Sequence, residues 1–125
     1  MKYAVTAKPR TEKLSMLWTL LNDGTVEDQE PDGKEIVASM KRAVIVDGTA
    51  KWYQTCYCSP PLRHERSTVY DQFFTSMEIK PFKNLSPLGG ARFWEYLEAQ
   101  SNKDNNSSPE AMVATPIKYV PIRLL

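Results

Sequence analysis

Between Pro9 and Gly24 the apolar residues Leu14, Leu17, Trp18 and Leu21 recur at i, i+3, i+4 and i+7. Residues at that spacing share one stripe of a helix. A helix with a single apolar stripe must lay it against another element. The residues before it supply one: Tyr3 and Val5 alternate against Ala4 and Thr6 with the period of a strand. Pro9 ends that strand, since proline has no N–H to give a ladder. Thr11 is placed to cap the helix, and Asn22-Asp23-Gly24 closes it, with Gly24 suited to the left-handed position.

Thr25 to Gly33 is acidic and reads as a loop or a short edge strand. Asp32 and Glu35 have the spacing of a capping box, with Asp in place of Ser or Thr. Two readings stay open for residues 35–48. Ile36, Val37, Met40, Ala43 and Val44 repeat with helical spacing, while a strand starting at Ala43 would turn at Asp47-Gly48, a strong hairpin dipeptide. Thr49 to Tyr57 reads as a strand, with Trp52, Gln54 and Cys56 on one face and Tyr53, Thr55 and Tyr57 on the other. Ser59 and Pro60 mark the start of a second helix, carrying Leu62, Val69, Phe73 and Met77. Glu78 to Phe82 is a short strand. Phe93, Trp94 and Leu97 predict a short helix after Gly89-Gly90. Residues 101–109 are polar and read as a mobile loop, and Ile117 to Leu125 form an apolar tail that needs something to dock on.

This order predicts an α+β fold: a ferredoxin-like antiparallel sheet with helices packed on one face. The 125 residues form one domain, with an α+β core over 1–82 and a C-terminal extension over 83–125 that holds a short helix, a polar loop and the apolar tail. Tyr3, Tyr53 and Tyr57 are expected on the open face of the sheet, which a second copy would cover. The opening Met1-Lys2-Tyr3, the element order and the closing Glu78-Ile79-Lys80-Pro81-Phe82 resemble the small YCII-related proteins of the dimeric α+β barrel class. The resemblance covers roughly residues 1–82. It implies a homodimer with a cleft between sheet and helices, and a His/Asp pair. The one histidine, His64, does not fall at a matching motif, so no catalytic residue is carried over.

With 16 basic and 15 acidic side chains the net charge is +1. That balance makes no electrostatic case for nucleic acid or a membrane surface, and only a local basic patch stays open. Aromatic residues on a ferredoxin-like sheet can stack RNA bases, but the RNP pattern is missing. No apolar run approaches a membrane span, and Met1–Val5 lacks the apolar stretch of a signal peptide. Two cysteines one residue apart on a strand do not suit a disulfide, which fits a reducing, cytoplasmic setting.

Chemistry-bearing residues are densest from Cys56 to Arg66. Tyr57, Cys58, Glu65 and Arg66 are the candidate binding residues, at the end of a strand and the start of a helix. Arg66 falls within the apolar stripe on an α-helical wheel, where a charge must be paired, reach outward or face a cleft. On the same wheel His64 lies opposite the stripe and reads as exposed. Cys56, Cys58 and His64 are too few for a structural zinc site, and C-x-C is narrower than the usual pair spacing, so no metal or cofactor is expected. The expected function is a homodimeric small-molecule-binding protein with its cleft between sheet and helices. The alternative is a non-catalytic interaction module that uses the Phe93–Trp94 helix and residues 110–125.

Overall fold

The computed structural model describes residues 1–57, 59–82, 84 and 86–107. Strand β1 (Lys2–Pro9) leads through a short turn of 3₁₀ helix (Thr11–Lys13) into α1 (Leu14–Asn22). After an acidic loop come α2 (Gly33–Arg42), β2 (Val44–Val46) and β3 (Thr49–Thr55). A broken helical stretch follows: α3 (Arg63–Glu65), a π turn (Arg66–Tyr70) and α4 (Asp71–Phe73). The chain ends its described part with β4 (Phe74–Pro81), β5 (Ala91–Arg92) and α5 (Phe93–Ser107).

The strands form one five-stranded antiparallel sheet in the order β4-β1-β3-β2-β5. Tyr3 pairs with Gln54, Val5 with Trp52 and Ala7 with Ala50. These six are buried, so alternate residues of the two central strands face the core. Ala4 pairs with Tyr53 and Thr6 with Lys51 on the opposite face. Tyr3 and Tyr53 therefore point to opposite faces, and Tyr57 lies beyond the end of β3 and is 88% exposed. The shared tyrosine face expected from the sequence does not form. Tyr53 instead stacks on Phe82, with ring centroids 4.6 Å apart, and its hydroxyl donates to the Ser86 carbonyl at 2.8 Å.

On the core face Leu14, Leu17 and Leu21 of α1 meet Ile36 and Met40 of α2, and Phe93 and Leu97 of α5, all in one cluster with Val5 and Trp52. Burying a side chain of this size contributes about 1.5–3 kcal/mol. Both readings of residues 35–48 are right in part. The helix runs to Arg42, Ala43 is the hinge, and β2 turns into β3 at Asp47 and Gly48, which both have positive φ. Several expected boundaries move. Thr11 does not cap α1, which starts three residues later. The helix after Pro60 stops at Phe73, so Met77 lies in β4, a longer strand than Glu78–Phe82. Residues 101–107 are helical rather than loop: α5 continues past Leu97, and Ser101 is buried. Residues 110–125 lie outside the described residues. Among the described residues no helix is long and apolar enough to cross a membrane.

Gly33 is the tightest backbone contact. A Cβ there would overlap the Val26 carbonyl and come within 2.6 Å of the Glu27 carbonyl oxygen. Those are backbone atoms, which cannot swing away. Gly33→Ala is expected to destabilise the fold by about 2–4 kcal/mol, as overpacking against a rigid neighbour does. Urea denaturation checks this, and a change under about 0.5 kcal/mol would show that the acidic loop can shift freely.

Candidate functional site

Glu65 is 1% exposed, although carboxylates are seldom fully buried without partners. Partners come from β3 and the residue that follows it. Gln54 Nε2 donates to Glu65 Oε2 at 3.1 Å, and the Cys56 thiol donates to Oε1 at 3.8 Å. The orientation of Gln54 follows from its other neighbours. Trp52 Nε1–H can only donate, and it donates to Gln54 Oε1 at 2.9 Å. The Tyr70 hydroxyl donates to the same oxygen at 2.7 Å. The amide nitrogen is thereby left to face Glu65. The Leu62 N–H donates to Cys56 Sγ at 3.4 Å, so the residue before α3 is tied to the segment just past β3 as well. Burial raises the Tyr70 hydroxyl well above its ordinary pKa, and the charge of Glu65 raises it further.

This network holds α3 and the π turn on the sheet with Glu65 inward. His64, one residue earlier, then faces outward. Its Nδ1 lies 2.7 Å from Asp32 Oδ2. A carboxylate only accepts, so Nδ1 carries the proton and Nε2 keeps its lone pair when the ring is neutral. Asp32 immediately precedes α2, but its side chain makes no cap hydrogen bond there. Glu35 also leaves the expected capping box and pairs with Ser39 and Arg42. Pro31, Asp32, Ser59, Arg63, His64 and Ser67 line a cleft of about 430 Å³. The His64 side chain is 44% exposed and that of Asp32 21%, so a solute reaches the imidazole while the carboxylate stays mostly covered. The Ser67 hydroxyl is engaged by the His64 carbonyl at 3.0 Å, whereas the Arg63 guanidinium makes only a 3.5 Å contact with the Ser59 carbonyl.

Of the candidate binding residues, the three that are described do not converge. Glu65 is inside the core, Tyr57 is fully outside it, and Cys58 lies outside the described residues. Arg66 is half-exposed and pairs with Asp71 at 2.9 Å. The buried residues of this stretch are Leu62, Glu65, Val69, Tyr70 and Phe73, and Arg66, at the start of the π turn, is left out of the core. Cys56 and His64 turn to different partners, and among the described residues no group of three or more His, Cys, Asp or Glu could hold a metal. The sequence marked Asp32 only as a cap and His64 only as exposed. Their meeting across 32 residues had no local signal. The aromatic helix is consumed by the core, with Phe93 buried and Trp94 packed edge-on against Trp18 at 5.0 Å.

Tyr70→Phe removes a buried hydrogen bond and is expected to lower stability by about 1–2 kcal/mol at neutral pH. A tyrosine raised in the folded state stabilises fully below its unfolded pKa of 10.0, and that contribution is lost as pH climbs through the folded value. The stability gap between wild type and variant should therefore narrow above pH 10. Denaturant titrations at pH 8 and pH 11 read it, and a constant gap would contradict a buried, protonated Tyr70. Arg66→Ala breaks only an exposed pair and should change stability by less than about 0.5 kcal/mol; circular dichroism melting tests this. Compared with family models, with curated proteins and with solved structures, the chain matches none.

Proposed function

We propose that the cleft between α2 and α3 binds a small anionic molecule, and that His64, oriented by Asp32, exchanges a proton with it. The observation that carries this reading is the 2.7 Å contact between His64 Nδ1 and Asp32 Oδ2 beside an open cleft. A carboxylate on Nδ1 holds the ring in one tautomer and orientation, with Nε2 as the base. Arg63 supplies the positive charge for an anionic group. The resemblance to YCII-related proteins implies a His/Asp pair, and Asp32 with His64 supports it in space where no motif did. The strand order β4-β1-β3-β2 supports a ferredoxin-like description of the core, with β5 added beyond β2. A homodimer is a separate proposal, because Asp32, Arg63 and His64 come from one chain and the site needs no second copy. Solution mass by light scattering decides it.

His64 is the chain's one histidine, so its reaction with diethyl pyrocarbonate reports a single ring. Asp32→Asn should slow that reaction several-fold, since an amide can donate to Nδ1 as well as accept from it and no longer fixes Nε2 as the free nitrogen. Acetate or inorganic phosphate should protect the wild-type ring but not that of Arg63→Gln. Wild-type reactivity in Asp32→Asn would sink the acid–base reading.

A further inference from the structure

The near-neutral total hides a separation of charge. Six charged residues lie on the strands: Lys2, Lys8, Lys51, Glu78, Lys80 and Arg92. All six belong to the sheet face away from the core. Lys51 stands opposite Thr6, Lys80 opposite Ala4 and Glu78 opposite Thr6, while Lys2 and Lys8 are in phase with Ala4 and Thr6. Arg92 stands opposite Val44, which in turn pairs with Lys51. One carboxylate thus faces five cations. Acidic residues gather elsewhere, as Asp23, Glu27, Asp28, Glu30, Asp32 and Glu35 between α1 and the middle of α2.

Lysines are common on edge strands, where they discourage sheet-to-sheet pairing. Lys2, Lys8 and Lys51 are on β1 and β3, which are interior strands of the sheet, so that explanation does not reach them. Among the described residues none of Lys2, Lys8, Lys51 or Lys80 takes part in an ion pair. Lys2, Lys8 and Lys80 are exposed and Lys51 is half-exposed. The register sets their spacing. Strand separation and rise per residue put Lys2 about 8 Å from Lys80 and Lys8 about 8 Å from Lys51, with about 12 Å between Lys80 and Lys51. Thr6, Thr55 and Thr75 lie among them, and Tyr53, opposite Ala4 and between Lys51 and Thr55 on β3, stacks on Phe82.

We infer that this face binds single-stranded nucleic acid. A row of unpaired cations at these intervals suits a chain of phosphates. Threonine hydroxyls and an aromatic pair suit bases, which need hydrogen-bond partners and a ring to stack on. A bilayer would ask for apolar side chains free to insert, whereas on this face Ala4 is small, Val44 is buried and the Tyr53 and Phe82 rings are stacked on each other. A duplex groove would ask for an element that protrudes, and the face is a sheet surface. The inference is independent of the cleft, which lies between helices.

Fluorescence anisotropy with a labelled twelve-nucleotide uridine oligomer tests it on the full chain, across a range of salt. Binding should weaken with salt. Lys51→Glu with Lys80→Glu should reduce affinity at least tenfold and lower the log–log salt slope by about 1.4, from about 0.7 for each phosphate contact. The milder pair Lys51→Gln with Lys80→Gln should lose part of the affinity, and circular dichroism must show both variants folded. Lys34→Glu with Lys103→Glu, on α2 and α5, should leave affinity within twofold. No binding at low salt would overturn the inference. So would an equal loss in the helix-side pair, or binding to phosphatidylserine vesicles without binding to the oligomer.

Discussion

The hydrogen bond from Gln54 to Glu65 joins the central strand β3 to the short helix α3, and much else is arranged around it. A buried carboxylate is costly unless its oxygens are occupied, so the fold must bring β3 and α3 together in one register. Trp52 and Tyr70 complete the requirement by holding the Gln54 oxygen, which leaves its amide nitrogen no other direction. Such a network specifies one arrangement more sharply than an apolar contact, because a shift of an ångström strands several polar atoms at once. The π turn at Arg66–Tyr70 fits the same demand: it allows Glu65, Val69, Tyr70 and Phe73 all to reach the core.

With Glu65 turned inward, its neighbour His64 is held at the rim of the cleft. Asp32 reaches it from the other side because Gly33 lets the loop at Val26 and Glu27 press against the start of α2. The carboxylate that local spacing assigns to helix capping is thus drawn to a tertiary partner. An imidazole neighbour at 2.7 Å offers a charge-assisted bond when the ring is protonated, which a neutral backbone N–H does not. The helix start goes without its side-chain cap, a loss of about 1 kcal/mol at most sites.

Charge follows the same division between local and global. Sixteen basic and fifteen acidic residues cancel in the total, and that cancellation argued against a polyanion. Alternation along β1, β3 and β4 then sorts lysines to one face, while the acids fall in the α1–α2 connection. Net charge is a sum, and a sum carries no direction.

Periodicity by itself determined the α+β class, strands at the start and in the middle, the stripe of α1 and the shared face of Trp52, Gln54 and Cys56, while it left helix and hairpin both open over residues 35–48. These depend on neighbours within a few residues, which is the range over which backbone geometry repeats. Only the tertiary structure decided that Tyr3 and Tyr53 part to opposite faces, that Glu65 rather than Arg66 enters the core, and that Asp32 meets His64. Each of these turns on a register or a contact between segments far apart in the chain. A one-residue change in phase, such as the π turn supplies, exchanges inside for outside without altering any local pattern.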